Sequence, residues 1–354
     1  MGLSMPAITD RQGGRNPLVS FCIKFYNHAA FCRPALKAAF AQTYSPLEII
    51  VTDDGSTDGT GKIVSAMIDE YVLSGGKHKV VKLFNDENLG ITQTAQRQFK
   101  AAKGVLIVQA DGDDISFPER VERIVSCWRN DGCRAGFIIH DALDLSLDGE
   151  RVLQYHPKNS LVEPLGAASA YSSKVVSSFG DVDVRFKTTS EDMIYLHRGW
   201  LVGGCLHIRE PLIYYRKGSG LTSAGTQASC RIYVSRAALD GVRQVRKDIA
   251  EKRAEGSVAP DVLLRVRRNA RLYALSFFAE GLMYSADRMR ARARAWRVMA
   301  HTRGFSCRSV FGMELALMNV PPRWIAAPIS CLLNFHWMVK RLMVSRKACL
   351  NMLV

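Results

Sequence analysis

The residues with the clearest capacity for chemistry are the acids of Asp111-Gly112-Asp113-Asp114, which directly follow an apolar run. Carboxylates spaced this closely offer several oxygen ligands, and oxygen is the ligand that Mg²⁺ and other hard divalent cations prefer. A cation held there would neutralise phosphate oxygens of a bound ligand. The same residues also suit an ordinary surface turn. Only their position in the fold can separate the two interpretations.

Three further polar clusters are candidates for binding or catalysis. Tyr26-Asn27 offers an aromatic face on which a nucleobase can stack, although a half-buried tyrosine is the simpler explanation. Asp53-Asp54 can accept hydrogen bonds from a base or a ribose, or can cap a turn. Glu191-Asp192 begins a predicted helix, where an acid can serve as a general base or can simply compensate the helix dipole.

Alternating strand and helix patterns explain why these clusters should meet. Short apolar runs predict strands at 18–23, 47–51, 80–84 and 105–110, and amphipathic patterns predict helices at 34–42, 61–73, 91–102 and 118–128. This order predicts an α/β fold with a mostly parallel sheet flanked by helices. Ligands of such sheets bind beyond the carboxyl ends of the strands. We therefore expect Tyr26, Asp53-Asp54 and the acids from Asp111 onward to line one edge of the sheet.

Charge divides the chain into two parts. Residues 1–230 contain 25 basic and 25 acidic residues, whereas residues 231–354 contain 23 basic and 8 acidic residues. The neutral part does not favour nucleic-acid binding. The basic part, which is predicted to be mostly helical, suits either an anionic membrane surface or a solvated face packed on the rest of the protein. We divide the chain into a flexible lead (1–16), one domain (17–228) and a basic helical region (229–354).

Several classes of protein are disfavoured by what the sequence lacks. No pair of the nine cysteines has the C-x-x-C spacing of a zinc or redox site, so we expect free thiols in a reducing cytoplasm. No glycine-rich phosphate loop occurs, which favours phosphate binding through a metal. The N-terminus lacks the apolar segment of a signal peptide. We expect a cytoplasmic protein with peripheral contact at the inner face of the plasma membrane.

Residues 17–125 resemble the donor-binding half of family 2 glycosyltransferases, which have the GT-A fold. The matching stretches follow in order: Pro17-Leu18-Val19-Ser20, Tyr26-Asn27, Ala41-Gln42-Thr43-Tyr44, residues 47–60 with Asp53-Asp54-Gly55-Ser56, Asn88-Leu89-Gly90, Ala110-Asp111-Gly112-Asp113-Asp114 and Pro118-Glu119-Arg120. Weaker similarity extends through Glu191-Asp192 and Tyr215-Arg216 to Leu221-Thr222-Ser223. The sequence has Lys24-Phe25 where the family usually has Pro-Thr, and it lacks the family's arginine near Ala95.

The resemblance implies a metal-dependent, inverting glycosyltransferase that uses Mn²⁺ or Mg²⁺. It would transfer a sugar from a nucleotide-diphospho-sugar, expected to be UDP-linked, to a saccharide or lipid-linked acceptor in cell-surface polysaccharide synthesis. Asp192 would be the catalytic base. The remaining implied roles are donor binding by Tyr26, Asp53, Asp54 and Asp111, metal binding by Asp113 and Asp111, and acceptor or diphosphate contacts by Glu191, Arg216 and Lys217.

Two other functions fit the same residues. A nucleotidyltransferase on a related sheet would release pyrophosphate instead of a nucleoside diphosphate. A degenerate module would bind a nucleotide-sugar without turnover, as the missing arginine suggests. No Q-x-x-R-W motif follows the domain, so we do not expect a processive synthase.

Overall fold

The computed structural model describes residues 16–155, 164–183, 191–219 and 228–270. The chain divides into two compact units, Met1–Tyr284 and Ser285–Val354, and all of the described residues belong to the first unit. The predicted flexible lead, apart from its last residue, and the segment Leu221-Thr222-Ser223 lie outside the described residues. So does the basic region after residue 270.

The first half of the domain alternates strands and helices as the sequence predicts. Strands β1 and β2 are buried at every position, which explains why most of their residues are apolar. Strand β4 ends at Asp111, so the acidic loop begins on the last residue of a buried strand. The elements in order are β1 (Val19–Phe25), α1 (Cys32–Phe40), β2 (Leu47–Asp53), α2 (Thr60–Leu73), β3 (Lys79–Lys82), α3 (Ile91–Ala101) and β4 (Leu106–Asp111).

The second half completes one sheet of nine strands within the described residues. The elements are β5 (Ile115–Ser116), α4 (Arg120–Asn130), β6 (Phe137–Leu145), β7 (Val152–Tyr155), β8 (Ser169–Ser172), α5 (Ser173–Ser177), α6 (Glu191–Val202), β9 (Cys205–Arg216), α7 (Ala228–Glu255) and a helix over residues 260–270, here α8. The order β3-β2-β1-β4 is parallel. Strand β8 then joins β4 and β6 through antiparallel pairs, so the sheet is mixed beyond β4.

Helices cover both faces of the sheet. On one face, α1, α2 and α4 pack against alternate strand residues, represented by Leu36, Ile68 and the fully buried Trp128. On the other face, α3 and α6 pack through Phe99 and Tyr195. This two-sided burial fixes the strands, and through them the loops at their carboxyl ends.

The start of the basic region packs on α6. Apolar residues of α7 and α8, including Val245 and Val266, form one buried cluster with Met193 and Leu201 of α6. No helix among the described residues combines the length and the apolar character that crossing a membrane requires. Helix α6, which carries Asp192, is therefore held between the sheet and α7.

A buried ion pair fastens α6 to α7. Arg198 donates from Nε to Oδ2 of Asp248 at 2.8 Å and from Nη2 to Oδ1 at 3.1 Å. Both side chains are only 2% exposed, and the ring of Phe179 lies under the guanidinium. Burial of an unpaired charge is costly, so the removal of either partner should strongly destabilise the folded protein.

We expect Arg198→Met to lower the free energy of unfolding by about 3–5 kcal/mol, because it leaves the Asp248 carboxylate buried and unpaired. Urea denaturation measures the loss. The matched control is Arg123→Ala, which breaks the exposed Arg123–Glu210 pair and should leave the free energy of unfolding nearly unchanged. Equal losses in the two variants would contradict this account of how α7 is held.

Candidate active site

The polar clusters that follow β1, β2 and β4 meet at one edge of the sheet. In the parallel register, Phe25 lies beside Asp53 and Lys24 lies beside Asp111. The backbone N–H of Asp54 donates to the carbonyl of Phe25 at 2.9 Å, which ties the ends of β1 and β2 together. Residues that are far apart in sequence therefore share one site, as the strand pattern predicts.

The acidic loop brings three carboxylates together. One oxygen from each of Asp111, Asp113 and Asp114 can be chosen so that all three lie within 4.8 Å of one another. The turn is tight at Gly112, where a Cβ atom would lie 2.1 Å from Cδ1 of Phe25. Only glycine fits at this close approach. The end of β1 thus determines the path of the loop.

The environment of the Asp114 carboxylate suits a ligand of a divalent cation. Its Oδ1 accepts the backbone N–H of Arg216 at 2.8 Å. Its Oδ2 is buried and accepts no hydrogen bond from any residue that the structure describes. Burial first, and then the charges of Asp113 and Asp111, raise the pKa of Asp114 well above its usual range. Three converging carboxylates with one unsatisfied buried oxygen fit Mn²⁺ or Mg²⁺.

Arg216, at the end of β9, holds the acidic loop in place through hydrogen bonds to backbone carbonyls. Its Nε donates to the carbonyl of Asp113 at 2.9 Å, and its Nη1 donates to the carbonyl of Leu147 at 2.7 Å. The guanidinium also lies over the ring of Phe31. These contacts favour a structural role over the expected contact with acceptor or diphosphate. The neighbouring Lys217 is 42% exposed at its side chain, and its Nζ lies 3.7 Å from Oδ2 of Asp144.

The expected donor-binding residues differ in their exposure and in the hydrogen bonds that they already make within the protein. Tyr26 is 44% exposed, so its ring is accessible to a ligand. Asp54 is buried and accepts from Leu89 N–H and Gly90 N–H at 2.9 and 3.0 Å, which fastens the loop after β3. Asp53 is buried and accepts two hydrogen bonds from Ser56. A carboxylate has about four acceptor sites, so Asp53 retains capacity for a ligand.

The acid pair of α6 reaches the same edge through Lys24. The Nζ atom of Lys24 lies 2.7 Å from Oδ1 of Asp111 and 3.7 Å from Oε1 of Glu191. Oδ1 of Asp192 accepts its own helix's Met193 N–H at 2.7 Å. Burial, followed by the Glu191 charge, raises the pKa of Asp192. Burial is also the main cause that raises the pKa of Glu191, and the charge of Lys24 opposes it.

Three residues of the site were not singled out from the sequence. Lys24 is the one charged residue of a mostly apolar strand, a pattern that indicates a buried and paired lysine. His28 follows Tyr26-Asn27, and its Nε2 lies 4.0 Å from Oδ2 of Asp113. The hydroxyl of Ser219 donates to the same Asp113 oxygen at 2.7 Å. No sequence pattern identifies Ser219, because only the fold of β9 brings it back to the loop.

Comparison with protein families finds a match to glycosyl transferase family 2 over residues 20–142. An uncharacterized glycosyltransferase of Nostoc sp. is 25% identical over 213 residues, which are 56% of this chain and 64% of that protein. Chondroitin synthase of Escherichia coli is 32% identical over 117 residues, which are 33% of this chain and 16% of the synthase. The chain therefore spans less than two thirds of the length of either relative.

Comparison with solved structures agrees with the sheet topology. A mannosyltransferase from Pyrobaculum calidifontis, solved with GDP-Man and Mn²⁺, superposes with a TM-score of 0.54 at 17% identity. The match covers 93% of this chain and 86% of the mannosyltransferase. The predicted GT-A fold and the resemblance to family 2 are confirmed.

We expect Asp114→Asn to raise the melting temperature of the cation-free protein at pH 7. An acid whose pKa is higher in the folded state destabilises the fold above its unfolded pKa, which is about 3.9 for Asp. The advantage of the variant should therefore shrink as the pH falls toward about 3.9 and vanish below it, where Asp114 is protonated in both states. Thermal melts across this pH range measure the difference.

The same melts, repeated with Mn²⁺, compare how much the cation raises the melting temperature of each protein. Mn²⁺ should stabilise the wild type more than Asp114→Asn, because a ligand stabilises the state that binds it. Asp69→Asn, which changes an exposed partner of Lys82, is the control. A lower melting temperature for cation-free Asp114→Asn at pH 7 would contradict the proposed electrostatic strain.

Proposed function

We propose, from the match of residues 20–142 to glycosyl transferase family 2, that this chain is an inverting glycosyltransferase. It transfers a sugar from a nucleotide-diphospho-sugar to a hydroxyl group of a saccharide or lipid-linked acceptor. Synthesis of cell-surface polysaccharide is the process in which such a transfer fits. The cytoplasm, with peripheral contact at the membrane, is the proposed location, which the basic charge of residues 231–354 supports.

One observation supports this proposal above the others. Asp111 at the start of the β4 loop and Glu191 at the start of α6 both lie within ion-pair distance of one ammonium group, that of Lys24. A cation site and a candidate base are therefore adjacent at the carboxyl ends of the parallel strands, where ligands of such sheets bind. This is the arrangement that transfer from a diphosphate donor requires.

The donor would bind along the ends of β1, β2 and β4. Asp113, with Asp111 and the unsatisfied oxygen of Asp114, would hold Mn²⁺ or Mg²⁺. Such an ion supplies neutralisation of the charge on the departing nucleoside diphosphate. The exposed ring of Tyr26 would stack on the base. Asp53 and Asp54 would complete the base and ribose contacts.

Asp192 would activate the acceptor. Its carboxylate takes the proton of the acceptor hydroxyl as the new bond to the anomeric carbon forms and the bond to the diphosphate breaks, which inverts that centre. A general base must reach the hydroxyl that it deprotonates, and the N-terminus of α6 lies beside the donor-binding edge. The raised pKa of Asp192 makes it the stronger base once it is ionised. Glu191 and Lys217 would contact the acceptor or the diphosphate.

We expect Asp192→Asn to lower the rate of transfer by about 100-fold to 10,000-fold while the protein stays folded, because the variant lacks the general base. The assay follows the nucleoside diphosphate released from a panel of UDP- and GDP-sugars with Mn²⁺. Asp181→Asn is the control, because Asp181 is exposed and pairs with Lys100 on the surface.

The products of the same assay test the function itself. Release of pyrophosphate would show a nucleotidyltransferase. Binding of a donor without any product from the wild type would show a binding module. Wild-type activity in Asp192→Asn would remove that residue from the mechanism but not the transferase activity.

We expect the rate to depend on pH in the direction set by the Asp192 carboxyl. Burial, and then the charge of Glu191, raise the pKa of Asp192 to about 8. Because the base must be ionised, kcat/KM should rise with pH through the neutral range. A rate that is already constant above about pH 5, as an ordinary Asp would produce, would contradict this assignment.

A further inference from the structure

Lys24 is an unusual residue for its position. It lies near the end of β1, a strand whose other residues are buried, and Lys24 itself is only 9% exposed. A lysine is almost never buried to this extent unless it is paired. Its burial therefore depends on the groups around its ammonium.

Those groups belong to two different parts of the site. The Nζ atom lies 2.7 Å from Oδ1 of Asp111, at the end of β4. It lies 3.7 Å from Oε1 of Glu191, the first residue of α6. It also donates to Oε1 of Gln109 at 3.3 Å. The charges of Asp111 and Glu191 outweigh burial and raise the pKa of Lys24, so it remains a cation.

We propose that Lys24 is a positioning residue that joins the cation-binding loop to the helix of the catalytic base. This inference rests on the proposed function. The bridge holds Glu191, and with it the neighbouring Asp192, against the edge of the sheet where the donor binds. Without the ammonium, the carboxylates of Asp111 and Glu191 would face each other with no charge between them and would repel.

The bridge has opposite effects on alignment and on metal affinity. Alignment of the base requires the positive charge. A divalent cation at the loop is repelled by the same charge, because Lys24 already neutralises Asp111. Removal of the charge should therefore slow transfer while it tightens the binding of the cation. General structural damage would weaken both.

The test compares Lys24→Met with Lys24→Arg and with the control Lys82→Met. Lys82 lies on β3 and pairs with Asp69 and Ser65, on the surface and outside the proposed catalytic and binding residues. Mn²⁺ alone is titrated into each protein, and the free ion is followed by electron paramagnetic resonance. The kcat and the donor KM are measured separately.

We expect Lys24→Met to lower kcat by about 10-fold to 100-fold with a smaller change in donor KM, because a misaligned base costs mainly transition-state stabilisation. Mn²⁺ should bind this variant about threefold more tightly or better. Lys24→Arg should recover most of kcat, and Lys82→Met should match the wild type. An unchanged kcat in Lys24→Met, or weaker Mn²⁺ binding together with a lower kcat, would overturn the proposal.

Glu191→Gln keeps the test decisive if Lys24→Met does not fold. If the bridge acts through Glu191, this variant should lower kcat on its own, because the neutral amide does not form an ion pair with the Lys24 ammonium. Full activity of Glu191→Gln would also overturn the proposal. Failure of the wild type to turn over any donor would reject the transferase function instead. The Mn²⁺ titrations would still show whether the charge of Lys24 weakens binding of the cation.

Discussion

Repulsion among carboxylates at one edge of the sheet is the constraint on which the rest of the site depends. Five acids converge there, and like charges in a poorly solvated place strongly disfavour one another. The fold offsets part of this cost with buried cations: Lys24 lies beside Asp111, and the charge of Arg120 opposes the rise in the pKa of Asp114. The remaining cost appears in the raised pKa values of Asp114 and Asp192. The five acids are Asp111, Asp113, Asp114, Glu191 and Asp192.

This uncompensated charge is what makes the site useful in the proposed reaction. A group that is strained in the free protein can bind a cation or accept a proton with a larger gain. The strain is tolerated because the surrounding structure is rigid: β1, β2 and β4 are buried between two layers of helices. The buried Arg198–Asp248 pair extends that support to the far side of α6. The first part of the basic region thus takes part in holding the helix that carries Asp192.

The sequence predicted the first four strands, their parallel arrangement and the edge where the polar clusters meet, because strand ends follow from local patterns and topology rules. It could not predict which way each side chain points. Asp54 turns inward to Leu89 and Gly90, and Arg216 turns to backbone carbonyls, although both lie where the motif places them. The Lys24–Glu191 contact joins segments far apart in the chain, so no spacing reveals it. Helical periodicity predicted the helices after residue 229 but not the surface on which α7 packs.

A crystal of the wild type grown with Mn²⁺ and a nucleotide-sugar, measured at the manganese absorption edge, tests the central claim most directly. The anomalous difference map locates the ion without reference to activity. The account predicts a peak within coordination distance of the Asp113 carboxylate, among the acids of the β4 loop. A fully occupied donor site with no peak there, or with the ion bound elsewhere, would contradict it.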